Sequence, residues 1–210
     1  MRRLRTGLTL VLLLVIPMLY SPIANLWILR TGIWIAGLEW LLSGASVLGL
    51  LVWFLPAAVA VQEAMDGWPG RFVALETLWI VLIYSDSAQL LVGRRFGRRK
   101  AFPSVSPNKS IEGYVGGLAI AFLLARYVHG WTAVPTMVVL VAGCVGDLYF
   151  SFFKRRANLK DFSNMLGPHG GICDRIDSFV FAVLALFVWG HLAGEEVRTD
   201  FLQSRYLSAS

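Results

Sequence analysis

Charge is what this chain has least of. Asp, Glu, Lys and Arg make up only 15% of its 210 residues, against about a quarter in soluble proteins, which excludes an ordinary soluble domain. Acidic residues are scarcer than basic ones, 13 against 19, leaving a net charge of +6. Cysteine is nearly absent: Cys144 lies in an apolar run and Cys173 in a polar stretch. Two such residues offer no zinc-binding spacing, and free thiols are expected rather than a disulfide. The chain also lacks a Walker A loop, an HExxH helix, a nucleophile elbow, internal repeats and low-complexity tracts, so the chemistry those patterns carry is not expected.

Apolar residues fill the space, at 57% of the chain with a mean hydropathy of +0.64. The expected fold is all-α: a polytopic transmembrane helical bundle forming one integral-membrane domain over residues 1–210. In a soluble protein the excess of Lys and Arg would suggest nucleic acid. Here the cations fall between apolar runs, so anionic lipid heads and nucleotide phosphates are the expected partners, and nucleic acid is not.

Seven spans are expected. Three arginines precede a first apolar run at 7–21, read as an uncleaved helix because no convincing cleavage site follows. The second, 26–42, carries Arg30 and Glu39 near its ends, where charges can snorkel. The third is 45–61, followed by a polar turn at 62–70. The fourth, 72–92, contains Asp86, awkward because a charge at a helix centre costs about 3 kcal/mol on insertion scales. Such an acid either faces a site or serves as a structural hydrogen-bond partner. A polar loop at 94–112 leads to spans at 114–128, 134–150 and 178–192, and to a short polar tail. With a cytoplasmic N-terminus, three, six and five of the nineteen Lys and Arg fall in the N-terminus, the 94–112 loop and the 154–177 loop. All three lie on one side, as the positive-inside rule asks.

The chemistry concentrates between Asp147 and Ser178. Asp147 ends an apolar run. Lys154, Arg155, Arg156 and Lys160 follow, and then His169, Gly170, Gly171, Asp174, Arg175 and Asp177. Two carboxylates about 4 Å apart repel by roughly 4 kcal/mol at an effective dielectric near 20. A site gathering Asp147, Asp174 and Asp177 would therefore want a divalent cation, and hard oxygen ligands favour Mg²⁺. The neighbouring cations would want phosphates. Metal-assisted chemistry on a phosphate ester is the reading from the residues alone.

The order Ser151-x-x-Lys154-Arg155-x4-Lys160-Asp161, then His169-Gly170-Gly171-x-x-Asp174-Arg175-x-Asp177, closely resembles the signature of the phosphatidate cytidylyltransferases, or CDP-diacylglycerol synthases. Two further boxes resemble the same family: Asp86-x-Ala88 ahead of Gly93-Arg94-x-Phe96-Gly97, and Ser106-Pro107-x-Lys109-Ser110-x-Glu112-Gly113. Glu39-Trp40 is a weaker echo. The chain departs in three places. Gln89 replaces an aromatic, Gly167 precedes Pro168 where Pro-Gly is usual, and spans between Glu39 and Asp86 are missing.

The resemblance implies transfer of CMP from CTP to phosphatidic acid, giving CDP-diacylglycerol and pyrophosphate. It further implies that Lys154, Arg155, Lys160 and Arg175 hold phosphates and that Ser106, Lys109 and Ser151 line the substrate site. Gly170 and Gly171 would let backbone amides approach phosphate oxygens. Asp147, Asp174 and Asp177 would hold one or two Mg²⁺ ions, and Asp161 would orient Lys160. His169 either donates to a phosphate or holds the loop. Glu112 binds metal, orients Lys109 or caps a helix N-terminus. A homodimer and a bacterial inner membrane with a cytoplasmic active site complete the expectation. A CTP-dependent polyprenol or dolichol kinase, which shares the first two boxes, is the rival enzyme. A transporter or scaffold is the rival without chemistry.

Overall fold

The computed structural model describes residues 22–67, 69–128, 130–167 and 170–192. Six helices account for most of them. They are α1 (Pro22–Leu42), α2 (Val47–Gly67), α3 (Pro69–Phe96), α4 (Ile111–Tyr127), α5 (Ala133–Arg156) and α6 (Cys173–Leu192). The expected span at 7–21 lies outside the described residues. The other six expected spans each coincide with a helix.

The helices outrun the apolar stretches that suggested them. α2 continues to Gly67 and α3 starts at Pro69, so most of the polar turn expected at 62–70 is helical. Proline is favoured at a first helical position, where its missing N–H has no intrahelical partner to lose. α5 extends six residues past its expected end and takes Lys154, Arg155 and Arg156 into its last turn. α6 begins five residues early and takes in Asp174, Arg175 and Asp177. Lys and Arg propagate a helix well and an acid is favoured at a helix start; these charges limited the hydropathy reading, not the backbone.

The 94–112 loop is not irregular. It holds an antiparallel hairpin, β1 (Lys100–Phe102) and β2 (Ser106–Ser110), paired Lys100 to Ser110 and Phe102 to Ser106 with a register irregularity between. The fold is therefore mainly helical with one small sheet.

The described residues form two compact units. One comprises the chain up to Val73 together with Phe152–Asp177. Its core is aromatic. Trp40 is fully buried and stacks on Phe162 at 4.6 Å, with Trp53 and Phe153 at 5.8 and 5.3 Å. Trp34, Leu42 and Leu48 of the same unit are exposed. The second unit comprises Ala74–Ser151 and the residues from Ser178 on. Leu78, Val81, Val139, Leu140, Phe150, Phe179 and Val180 are buried there, and Trp79 stacks on Phe179 at 4.1 Å. α3 and α4 meet backbone to backbone: a Cβ at Gly117 would stand 2.5 Å from the Gln89 amide nitrogen, and one at Gly113 2.8 Å from the Gln89 carbonyl oxygen. Small residues four apart allow such an approach in apolar surroundings.

Among the described residues α5 is the one helix long and apolar enough, by length and composition, to cross a membrane. Its 24 residues span about 36 Å at 1.5 Å per residue, enough for a hydrocarbon core of about 30 Å.

Candidate functional site

Among the described residues each unit holds an ionic cluster. In the second unit the hairpin presents Lys109, whose ammonium lies 2.6 Å from Asp147 Oδ2 and 3.6 Å from Asp86 Oδ1. The same nitrogen stands 5.3 Å from the centre of the Tyr114 ring. Burial alone would lower the Lys109 pKa, but the two carboxylates outweigh it and hold the ammonium above the ordinary lysine value. Asp86 from α3 and Asp147 from α5 thus share one cation, which identifies Asp86 as an ion-pairing residue of this cluster.

The hairpin that delivers Lys109 is fastened at both ends. The Ser110 hydroxyl oxygen caps α4 by accepting from the Gly113 amide at 3.1 Å. Glu112 Oε2, in the first turn of α4, accepts from the Arg98 and Arg99 amides at 3.0 and 3.2 Å. Backbone amides, its own and those two, hold the Glu112 carboxyl below its usual range. What the structure displays for Glu112 is this fastening of the Arg98 and Arg99 amides, a role beyond the three expected of it. Ser106 opens β2 and is half-buried, while Ser151 is buried on α5. Gln89 is also buried, donating from Nε2 to Ser85 Oγ at 2.9 Å and to Cys144 Sγ at 3.5 Å.

The first unit holds the second cluster. α5 ends in a Schellman turn: Asn158 adopts φ +57°, its amide donates to the Arg155 carbonyl at 3.0 Å, and the Leu159 amide donates to the Lys154 carbonyl at 2.8 Å. An asparagine tolerates that conformation better than most residues. The reversal leads into the signature loop. Lys154 turns inward, and its ammonium donates to Asp174 Oδ1 at 2.8 Å; both side chains are nearly enclosed, at 10% and 4% exposure. The other oxygen, Oδ2, accepts from the Phe162 and Gly171 amides, each at 3.0 Å. Asp174 is therefore the knot of the loop, taking one charged and two backbone donors.

The two glycines at this knot have separate reasons. Gly170 adopts φ +77°, and a Cβ there would also stand 3.0 Å from Asp174 Oδ2 and 3.3 Å from Asp161 Oδ1. Gly171 has ordinary backbone, but a Cβ would stand 2.5 Å from Glu39 Oε2. Arg155 donates to the Leu159 carbonyl at 3.0 Å and is exposed, as are Lys160 and Arg175; Asp161 and Asp177 are half-buried. His169 lies outside the described residues. Both cysteines are free, and burial pushes the Cys173 thiol well above its usual range. Among the described residues no group of three or more His, Cys, Asp or Glu side chains is gathered as a metal cage.

Sequence reasoning missed Glu39. It is buried on α1, accepting from Ser163 Oγ at 2.7 Å and from the Cys173 amide at 2.8 Å. The signal was there: an acid within an apolar helix, next to Trp40 in a pair that weakly resembles the family's.

A model of the cytidylyltransferase family matches residues 4–193, nearly the whole chain. The chain belongs to the cytidylyltransferase family. Curated relatives include the phosphatidate cytidylyltransferase of Bacillus subtilis (strain 168), 39% identical over 117 residues, covering 51% of this chain and 44% of that protein. The enzyme of the same name from Aquifex aeolicus (strain VF5) is 34% identical over 115 residues, covering 53% and 43%. That of Haemophilus influenzae (strain ATCC 51907 / DSM 11121 / KW20 / Rd) is 38% identical over 132 residues, covering 56% and 45%. The chain spans about half the length of the curated relatives it matches. Family membership accounts for the ordered signature in a way that a basic loop setting topology does not.

Proposed function

We propose that this cytidylyltransferase-family chain is a phosphatidate cytidylyltransferase acting within a membrane. The observation that carries the reading is the enclosed Lys154–Asp174 knot inside the ordered signature. An enclosed ion pair is costly to assemble, and topology alone does not need one.

In the proposed reaction an oxygen of the phosphatidic acid phosphate attacks the α-phosphorus of CTP. The bond from that phosphorus to the bridging oxygen breaks, and pyrophosphate leaves with the electron pair, giving CDP-diacylglycerol. Displacements of this kind depend on positioning and on neutralising charge spread over phosphoryl oxygens. Lys109, Lys154, Arg155, Lys160 and Arg175 are the cations proposed for that work. The attacking phosphate is already ionised near neutral pH, so no strong general base is required. Gly170 and Gly171 keep side-chain bulk away from the loop backbone.

Mg²⁺ is the proposed cofactor, as one ion or two, and when bound it would neutralise phosphate charge. Asp147, a hard oxygen donor paired with the Lys109 ammonium, is a proposed ligand that would exchange that partner for the metal. Asp174 does not fit while its oxygens serve Lys154 and two backbone amides. Asp177, near the start of α6, remains a proposed ligand.

The wider proposal is a single integral-membrane domain with about seven spans, placed as a homodimer in a bacterial inner membrane with its active site facing the cytoplasm. The exposed apolar side chains of α1 and α2 support the membrane setting, as does helical hydrophobicity on all sides.

The test is reconstituted protein with phosphatidic acid, a polyprenol, Mg²⁺ and CTP labelled at either the α or the γ phosphate. The expected result is lipid labelled only from α-labelled CTP, lost in Lys109→Met. Label entering a polyprenol from γ-labelled CTP would overturn the reading in favour of a kinase. No labelled lipid from folded protein would overturn it in favour of a chain without this chemistry.

A further inference from the structure

We propose that Glu39 is a positioning residue of the signature loop. The inference rests on the cytidylyltransferase reading for its catalytic consequence, but not for its structural one. Glu39 is the one acid on α1, and its side chain is 6% exposed. Its two oxygens reach different parts of the loop. Oε1 accepts from the Ser163 hydroxyl at 2.7 Å, and Oε2 accepts from the amide of Cys173, the first residue of α6, at 2.8 Å.

The carboxylate thus does two things at once. It supplies an acceptor for an N–H at the start of α6 that no helical carbonyl can reach, and a negative charge there is favourable to the helix dipole. It also pins Ser163, whose own oxygen accepts from the Met165 amide at 3.1 Å. Asp174 follows Cys173 directly, so Glu39 sets where Asp174 begins its turn of helix and where Lys154 finds its partner.

Gly171 adds a steric argument. A Cβ at this position would stand 2.5 Å from Glu39 Oε2 and 2.6 Å from Ser163 Oγ. A methyl group there would have to push aside the carboxylate or the Ser163 hydroxyl, so Gly171 lets both keep their hydrogen bonds. Glu39, Ser163 and Gly171 form one contact, which a snorkelling acid at a helix end would not make.

The test compares parent, Glu39→Gln, Glu39→Ala and Ser163→Ala in lipid nanodiscs by two readouts. The first is amide hydrogen exchange. Glu39→Ala removes both acceptors, so exchange at the Cys173 amide is expected to rise by about tenfold or more, the scale of a lost hydrogen bond to a charged acceptor. Glu39→Gln keeps the shape but loses the charge; its one accepting oxygen can still meet the Cys173 amide while its NH₂ donates to Ser163 Oγ, so a smaller rise is expected there. Amides in the middle of α2 should be unchanged. The second is CMP transfer: kcat should fall about tenfold or more in Glu39→Ala, with KM for CTP moving less, because the loop is misplaced rather than stripped of its cations. Glu39→Gln and Ser163→Ala should show smaller changes in the same direction.

Unchanged Cys173 exchange in both Glu39 variants would overturn the proposal. So would raised exchange with transfer at the parent rate. Should Glu39→Ala fail to fold, Glu39→Gln and Ser163→Ala decide the matter. A parent that transfers no CMP sinks the functional reading instead, and the exchange comparison still decides whether Glu39 fastens the loop.

Discussion

Asp174→Asn should damage this protein by loosening its fold. The side chain is 4% exposed and accepts from three donors: Lys154 Nζ at 2.8 Å and the Phe162 and Gly171 amides at 3.0 Å. Asparagine has one accepting oxygen. Facing it to the two amides puts its NH₂ against the Lys154 ammonium, donor against donor; facing it to Lys154 leaves two amides without an acceptor. Removing one partner of a buried ion pair costs about 3–5 kcal/mol, because the remaining charge stays buried. Against a total stability of about 5–15 kcal/mol, that is a large share. Lys154→Met should cost a similar amount. The double variant Lys154→Met/Asp174→Asn should fall short of the summed losses by about 0.5–3 kcal/mol, the range found for groups in direct contact. Denaturant unfolding in mixed micelles measures this, and tryptophan emission is a suitable probe because Trp40 stacks on Phe162 beside the knot. A single variant within about 0.5 kcal/mol of the parent would refute the reasoning. Strict additivity in the double variant would do so too.

Other outcomes follow from contacts in each unit. Lys109→Met leaves Asp86 and Asp147 sharing a site without their cation; transfer activity should fall at least a hundredfold, and Lys109→Arg should recover only part of it. Gly117→Leu drives a side chain into the Gln89 backbone; overpacking of this kind costs about 1–3 kcal/mol, read as a lowered unfolding midpoint. The Glu112 carboxyl has a lowered folded-state pKa. Its fastening of Arg98 and Arg99 should therefore be complete above the ordinary Glu value of 4.5 and lost as pH falls through the lowered value. Amide exchange at those two residues, corrected for intrinsic rate, should show that dependence in the parent and lose it in Glu112→Gln.

Much of this was legible in the sequence because apolar runs and ordered charges carry strong signals. Six expected spans fall on six helices, since long runs dominated by Leu, Val and Ala have few other options, even with glycines and Pro56 inside them. The ends were less legible. Lys154 to Arg156 and Asp174 to Asp177 stop a hydropathy window but not a helix, so the expected spans end short of both. The hairpin hid for a different reason. Pro103, Pro107 and a run of arginines suggest turn and solvent, and β1 is only three residues long with a register irregularity. At the candidate site the sequence singled out Asp174, but its role depends on which donors surround it. Two of those are backbone amides, whose direction no residue letter encodes. Glu39 was harder still, because its partners lie 124 and 134 positions away.

The meeting of Gly171 with Glu39 has an evolutionary reading. A methyl group at 171 and a carboxylate at 39 compete for the same space, so a side chain gained at 171 favours a smaller or displaced one at 39. Relatives with alanine at the position of Gly171 should carry a shorter residue at that of Glu39. The two sites should then covary although 131 residues separate them in the chain.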